Sequence, residues 1–379
     1  MLGEMVARNA SDLYLTLDSP PVLRIEGVTE RLGTECLEAA QVEALAHSLM
    51  SERQRAAFDE KLEQNLAIAS GNLGRFRVNV FRQRGAIGVV IRQIKSRIPT
   101  LDELALPPIL KTIALSRRGL VLVTGATGSG KSTTQAAMLD YRNEMTAGHI
   151  LTVEDPIEFV HTHKKCIVNQ REVGFDTMSF GDALKNMLRQ APDVILIGEV
   201  RDGETMEAAV TFSDTGHLCL ATLHSTSANQ ALERVMNFFP HSRHPEMFLQ
   251  LSLNLRAIIS QRLVPGIDGK RVAAMEVLLD TPWVKDLVKK GQIDTLKEAM
   301  DSSTQEGGQT FDQSLYTLYE EGHITEEQAL ANADSVNNLR IKIKQLEISR
   351  KTPKGRRGAP GGNEFRIEGV SPSQHLRRL

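Results

Sequence analysis

The chain has 379 residues, 41% hydrophobic and 24% charged, with a formal net charge of −2. Near-neutral charge is a poor match to a general nucleic-acid binder, and no apolar run approaches the length of a membrane span. Cys36, Cys166 and Cys219 lie far apart without a C-x-x-C pair, which excludes a tetracysteine zinc module and fits a reducing compartment.

The start, MLGEMVARNASD, has no signal-peptide core, so a cytoplasmic chain of two or three domains is expected. Residues 12–17 alternate apolar and polar like a strand, Pro20-Pro21 turns the chain, and 22–25 form the next strand. Helical spacing over 39–50 and a helix over 51–61, capped by Ser51, come next. Strands at 65–69, 75–81 and 86–94 have short links, so they form hairpins of an antiparallel sheet. A proline-stiffened linker occupies 99–109. From 110 to 280 the pattern alternates: strands at 119–124, 149–154, 194–197 and 217–223, helices at 132–143, 179–189 and 204–213. That alternation predicts a mainly parallel sheet flanked by helices, with ligands at the carboxyl ends of the strands. Residues 281–345 read as helical, and 346–379 as a basic, Gly/Pro-rich disordered tail.

The strongest signal is GATGSGKST, which comprises Gly125, Ala126, Thr127, Gly128, Ser129, Gly130, Lys131, Ser132 and Thr133. A strand precedes it and a helix follows, the context a phosphate-binding loop needs. Glycines let the backbone curl its N–H groups inward, and the helix start adds free donors and a positive dipole end. Lys131 can reach the β- and γ-phosphates of ATP, and the Ser132 hydroxyl can sit on Mg²⁺. The run from Ile150 to Phe159 ends a strand in Glu154, Asp155 and Glu158. These acids can hold Mg²⁺ through water or orient an attacking water, if their strand neighbours the loop strand; a solvated turn is the alternative. Asp193 to Glu199 has the layout of a Walker B segment, with Glu199 as its acid. His217 and His224 lie at opposite ends of another apolar strand. Seven positions apart, they are ill placed to share a metal. His224 can contact a γ-phosphate or be structural; His217 taken alone reads as structural. Arg75, Arg77, Arg82, Arg84 and Arg92 crowd the strands of the first domain. They are either a solvated sheet face or a source of arginine fingers.

Together GATGSGKST, EDPIEF, DVILIGEVRD and TGHLCLATLHS resemble the motor ATPases of type IV pili and type II secretion. The resemblance spans about residues 10–345. The absence of a long N-terminal extension and a tetracysteine site favours the retraction branch, PilT and PilU. ASDLYL is similar to the ASDLH segment of that branch, with Tyr14 in place of His. Where PilT-type members carry AIRNLI, this chain reads TPWVKDLVKK, Thr281 to Lys290, which is more similar to PilU.

The resemblance implies an α/β fold: a PAS-like domain with an antiparallel sheet over 1–98, joined to a RecA-like P-loop domain over 110–280. It implies a hexameric, Mg²⁺-dependent ATPase in the cytoplasm, peripheral to the inner membrane, that supports pilus retraction and twitching motility. Its implied partners are a PilT-type ATPase and an inner-membrane platform protein, with no nucleic acid. It places the water-orienting base at Glu158, with Glu154 and Asp155 in support, the Walker B acid at Glu199, the paired histidines at His217 and His224, and trans-acting arginines at Arg77 and Arg92. Two alternatives stay open: a nucleotide-gated partner of the main motor with little activity of its own, and a RecA-like ring acting on DNA.

Overall fold

The computed structural model describes residues 1–25, 27–94 and 97–351. The first domain comprises α1 (Leu2–Ala7), β1 (Asp12–Leu15), β2 (Val22–Ile25), β3 (Val28–Arg31), α2 (Ala39–Leu49), α3 (Glu52–Lys61), β4 (Glu63–Ala69), β5 (Arg75–Gln83) and β6 (Ala86–Ile94). Its six strands lie in the order β3-β2-β1-β6-β5-β4, and every pairing is antiparallel. Strand β5 shows why one face is free. Phe76, Val78 and Val80 are buried, while Arg75, Arg77 and Asn79 alternate onto the other side. Helices α2 and α3 start on capping boxes, Glu38 with Gln41 and Ser51 with Gln54. They supply Val42, Ala46 and Phe58 to the core beneath the sheet.

The second domain continues with α4 (Ile109–Ala114), β7 (Gly119–Thr124), α5 (Lys131–Met145), β8 (Gly148–Glu154), β9 (Cys166–Glu172), α6 (Phe180–Met187) and β10 (Val194–Ile197). Then come α7 (Gly203–Asp214), β11 (Leu218–Leu223), α8 (Ala228–Asn237), α9 (His244–Asn254), β12 (Leu255–Pro265) and β13 (Arg271–Leu279). The seven strands lie in the order β13-β12-β7-β11-β10-β8-β9. All pair in parallel except β13, which runs antiparallel to β12. Strands β7, β10 and β11 are buried at every residue, because helices cover both faces of the sheet. Leu120 and Leu122 pack toward α6, α7 and α8, and Val121 and Val123 toward α4 and α5. Cys219 sits in this core, as its apolar setting predicts.

The remaining helices are α10 (Pro282–Lys289), α11 (Leu296–Ser302), α12 (Phe311–Glu320), α13 (Glu326–Ala331) and α14 (Val336–Lys351). Phe311, Leu315, Leu339 and Ile343 of this group close over Val264 and Ala274 at the far end of β12 and β13. Residues 346–351 of the expected tail are helical instead. Helix α14 carries the chain through Lys351, and Arg350 donates to the Glu320 carbonyl at 2.6 Å. The rest of that tail lies outside the described residues. Among the described residues no helix is long and apolar enough to cross a membrane.

Candidate active site at the carboxyl edge of the parallel sheet

The phosphate loop leaves β7 and turns into α5. Gly125, Gly128 and Gly130 have φ of 149°, 78° and 89°, a region that side chains disfavour. Packing adds a second reason at the outer two. A Cβ on Gly125 would stand 2.5 Å from the Gln261 carbonyl oxygen, and one on Gly130 would stand 2.8 Å from Gln261 Nε2. Gln261, on β12, also accepts from Thr134 Oγ1 at 2.7 Å, tying the helix start to the neighbouring strand. Lys131 is buried, and Nζ donates to the carbonyls of Gly125 and Ala126, each at 2.9 Å. Burial lowers its pKa. Ser132 is exposed, and so is the loop apex Ala126-Thr127-Gly128.

The hydroxyls of Thr124, Ser129 and Ser225 are buried without a hydrogen-bond partner in the chain. Bound phosphate or water satisfies groups of this kind. The glycine cradle, a buried lysine and orphaned hydroxyls together fit a nucleoside polyphosphate. A cation here would lean on phosphate oxygens and Ser132. Among the described residues no group of three or more His, Cys, Asp or Glu could hold a metal ion.

Sheet order decides which acids come near. Strand β11 pairs directly with β7, and Leu223 stands opposite Thr124. His224 therefore leaves its strand beside the loop. Burial lowers its pKa first, and the positive charges of Lys131, Arg234 and Arg201 lower it further. Strand β10 is next, and Gly198 N–H donates to the Val153 carbonyl at 2.7 Å to guide the exit toward Glu199. Glu199 Oε2 lies 3.3 Å from His224 Nε2. Its other oxygen pairs with Arg201, whose Nη1 lies 3.3 Å from Asp155 Oδ2. Arg201 thus joins the Walker B acid to the acid cluster on β8.

That cluster does not adjoin the loop strand, as the sequence reading required. Strands β11 and β10 intervene between β7 and β8, three inter-strand spacings or roughly 14 Å. Sequential strands of a parallel sheet need crossovers, and these let later strands insert between earlier ones. Within the cluster, Glu154 accepts from Thr152 Oγ1 at 2.7 Å and from Gln170 Nε2 at 3.1 Å. Burial outweighs those bonds and lifts its pKa to about 7. Asp155 is partly buried and Glu158 is exposed.

The charges on the open sheet face of the first domain act on this region. Arg77 and Arg92 stand opposite each other on β5 and β6, and Arg92 also stands opposite Asp12 of β1. Arg92 Nε donates to the buried Asp12 carboxylate at 2.8 Å, which raises the arginine pKa; Asp12 and Glu158 add further charge stabilisation. Glu172, at the end of β9, is buried, which raises its pKa; the Ile157 N–H and then the charges of Arg77 and Arg75 act against that. Within one chain the charges of these arginines are felt by Glu158 and Glu172.

His217 is not brought to the loop in this chain. Its carbonyl accepts from Gly119 N–H at 3.0 Å, at the opposite end of β7. Its Nδ1 lies 3.0 Å from the Phe212 carbonyl, where it fastens the turn after α7. Arg201, Gln261 and Glu172 were missed by sequence reasoning. Arg201 carried one signal: two positions past Glu199 on an extended segment, it shares that residue's side. Gln261 and Glu172 carried none.

A glycine-cradled loop, an acid-ended strand two places away and a parallel sheet covered on both faces define a RecA-like P-loop ATPase. The family described as type II/IV secretion system protein matches residues 1–358. The type IV pilus ATPase PilU of Pseudomonas aeruginosa is 52% identical, covering 94% of this chain and 98% of its own. The type IV pilus retraction ATPase PilT of that organism is 44% identical, covering 89% of this chain and 98% of its own. A solved structure of the pilus retraction motor PilT with bound ADP superposes with a TM-score of 0.84 at 41% identity, covering 90% of this chain and 98% of its own. The chain belongs to the type II/IV secretion system protein family, within its PilT/PilU branch, and is an ATPase that uses nucleotide.

Proposed function

We propose that this chain spends ATP hydrolysis on type IV pilus retraction in twitching motility, as a PilU-like hexameric ring in the cytoplasm at the inner membrane. The observation that carries this reading is the nucleotide edge, where buried Lys131 in the glycine loop lies beside His224 and the Walker B acid Glu199 held by Arg201. The arginines of the first sheet act on the charge of Glu158 and Glu172 beyond it, which gives the first domain a route to that edge. The names of the similar PilU and PilT proteins point to the pilus as the load.

In this reading Lys131 and the loop amides hold the phosphates, and Ser132 offers its hydroxyl to Mg²⁺. The cation, when bound, screens charge on the β- and γ-phosphate oxygens. Glu199 acts at the cation, held by Arg201 and His224. Glu158 orients the water, with Glu154 and Asp155 in support. Arg77 and Arg92, steadied by Asp12, stabilise the charge that develops on transfer. Loss of those arginine contacts after hydrolysis lets the domains turn about the segment at 99–109. His217 keeps the base of β11 in place.

The charged segment 281–290 points to work alongside a PilT-type partner and the inner-membrane platform. Counting retraction of labelled pili in two strains tests this. With the partner present but catalytically dead, some retraction is expected; with the partner absent, none. Clear retraction in its absence would make this chain an independent motor.

A further inference from the structure

At the opposite edge of the parallel sheet, a pocket of 330 Å³ opens between the turn before β7, the start of β12 and α10. Arg117, Arg118, Arg256 and Lys285 line it. Its one lining carboxylate is fully engaged: Asp280 Oδ1 pairs with Arg256, and Oδ2 pairs with Lys285 at 3.0 Å. The nearby Asp214 accepts from Asn254 Nδ2 at 3.2 Å. Arg117 and Arg118 are exposed and have no ion pair or hydrogen bond to a side chain among the described residues. Two cations are therefore left without local neutralisation in a chain whose net charge is −2.

The floor is kept open by Gly119. Its φ is 120°, and a Cβ there would stand 3.0 Å from Arg256 Cβ and 3.2 Å from the Asn254 carbonyl oxygen. The rim is apolar on one side. Leu253 lines the pocket and is 68% exposed, and Leu249, one turn earlier on α9, is 43% exposed. Five steps of β7 separate Gly119 from Thr124 and the phosphate loop, roughly 17 Å.

We propose that this pocket docks an acidic protein segment carrying apolar side chains, whose carboxylates meet Arg117 and Arg118 and whose apolar groups cover Leu253 and Leu249. A lone phosphate would use the cations and leave the leucines bare. A purely apolar segment would strand the two arginines. An acidic, apolar segment satisfies both halves of the surface. The site is independent of what load the ATPase drives, because it shares no residue with the nucleotide edge.

The test uses the full chain and a fluorescent peptide of alternating glutamate and leucine. Binding is expected at low salt, weakening by about tenfold between 50 and 300 mM salt as exposed charges are screened. R117E/R118E should lower affinity by at least about tenfold, R117A/R118A less, and Leu253→Ser partially, with ATP turnover and melting temperature unchanged in all three. No binding, or binding indifferent to R117E/R118E, overturns the proposal. Pyrophosphate displacing the peptide from a tighter complex would make this a phosphate site instead. A change of ring size in R117E/R118E, seen by sedimentation, would make it a contact between copies of this chain. Either result also overturns it.

Discussion

The two sheets present chemistry in different ways. The first keeps much of one face open along β5, and Arg75, Arg77 and Arg92 stand side by side on it. The second is buried on both faces, so no charged side chain lies along β7, β10 and β11, and their polar side chains, Thr124 and Thr222, gather toward the carboxyl ends. A half-covered sheet displays function across its surface and tolerates change there. A fully covered sheet confines function to its edge, where short loops are fixed by the strands beneath. The phosphate site lies at such an edge, where Lys131, Glu199 and His224 leave their strands.

The largest expected effect separates binding from chemistry at the edge. Lys131→Ala should abolish nucleotide binding and turnover together. Glu199→Gln should keep binding and lower turnover by about 10²–10³-fold, the scale of losing one transition-state contact. Fluorescent-nucleotide binding and phosphate release measure the two. Equal loss of binding in both variants would remove the distinction drawn between them.

The face of the first sheet divides by alternation. Phe76→Ala should destabilise that domain by about 3–5 kcal/mol, because its ring is fully buried. Arg77→Ala, one position on, should change stability by no more than about 0.5 kcal/mol while sharply lowering turnover. Denaturant unfolding beside a turnover assay reads both, and matched stability losses would mean that the arginine face is structural. Arg77 and Arg92 lie in a domain without a phosphate loop, so a neighbour's site is their expected target: mixing R77A/R92A chains with K131A chains should restore some turnover, and no rescue in proven mixed rings would confine these arginines to their own chain's site.

Arg201→Gln sharpens the edge itself. Freed from the bridge between Glu199 and Asp155, the Walker B acid loses its orientation. Turnover should fall by about tenfold at nearly unchanged nucleotide affinity, within the range that small misplacement costs. A large loss of affinity instead would mean that the bridge shapes the ground-state site.

The smallest effect is a pH slope. Burial raises the Glu154 pKa from 4.5 to about 7 in the folded chain. The unfolded chain ionises first, so this group's stabilising contribution is complete below pH 4.5 and is lost as pH rises to about 7. Glu154→Gln cannot ionise and should flatten part of the decline in melting temperature between pH 5 and pH 8. Glu172 and Glu276, both raised by burial, keep the remainder. An unchanged slope would show that water reaches Glu154 freely.

Local chemistry was legible from residue order alone. The glycine loop, the acid-ended strands, the capping of α3 by Ser51 and the alternation of β5 each depend on residues within about ten positions, whose geometry the backbone imposes directly. Strand β9 escaped because an edge strand needs no continuous apolar run, and CIVNQRE has none. Strand β3, exposed at every residue, escaped for the same reason.

Adjacency across the sheet was settled only in three dimensions. Crossover connections inserted β11 and β10 between β7 and β8, so His224 and Glu199 became the near neighbours of the phosphate loop and the Glu154 cluster the far ones. The same packing put Gln261 behind the loop and turned Arg201 into a bridge. Sequence by itself determined which residues carry charge and which turns can hold phosphate, because those are properties of a few consecutive residues. Which of them meet was decided by the order in which buried strands stack, a property of the whole core.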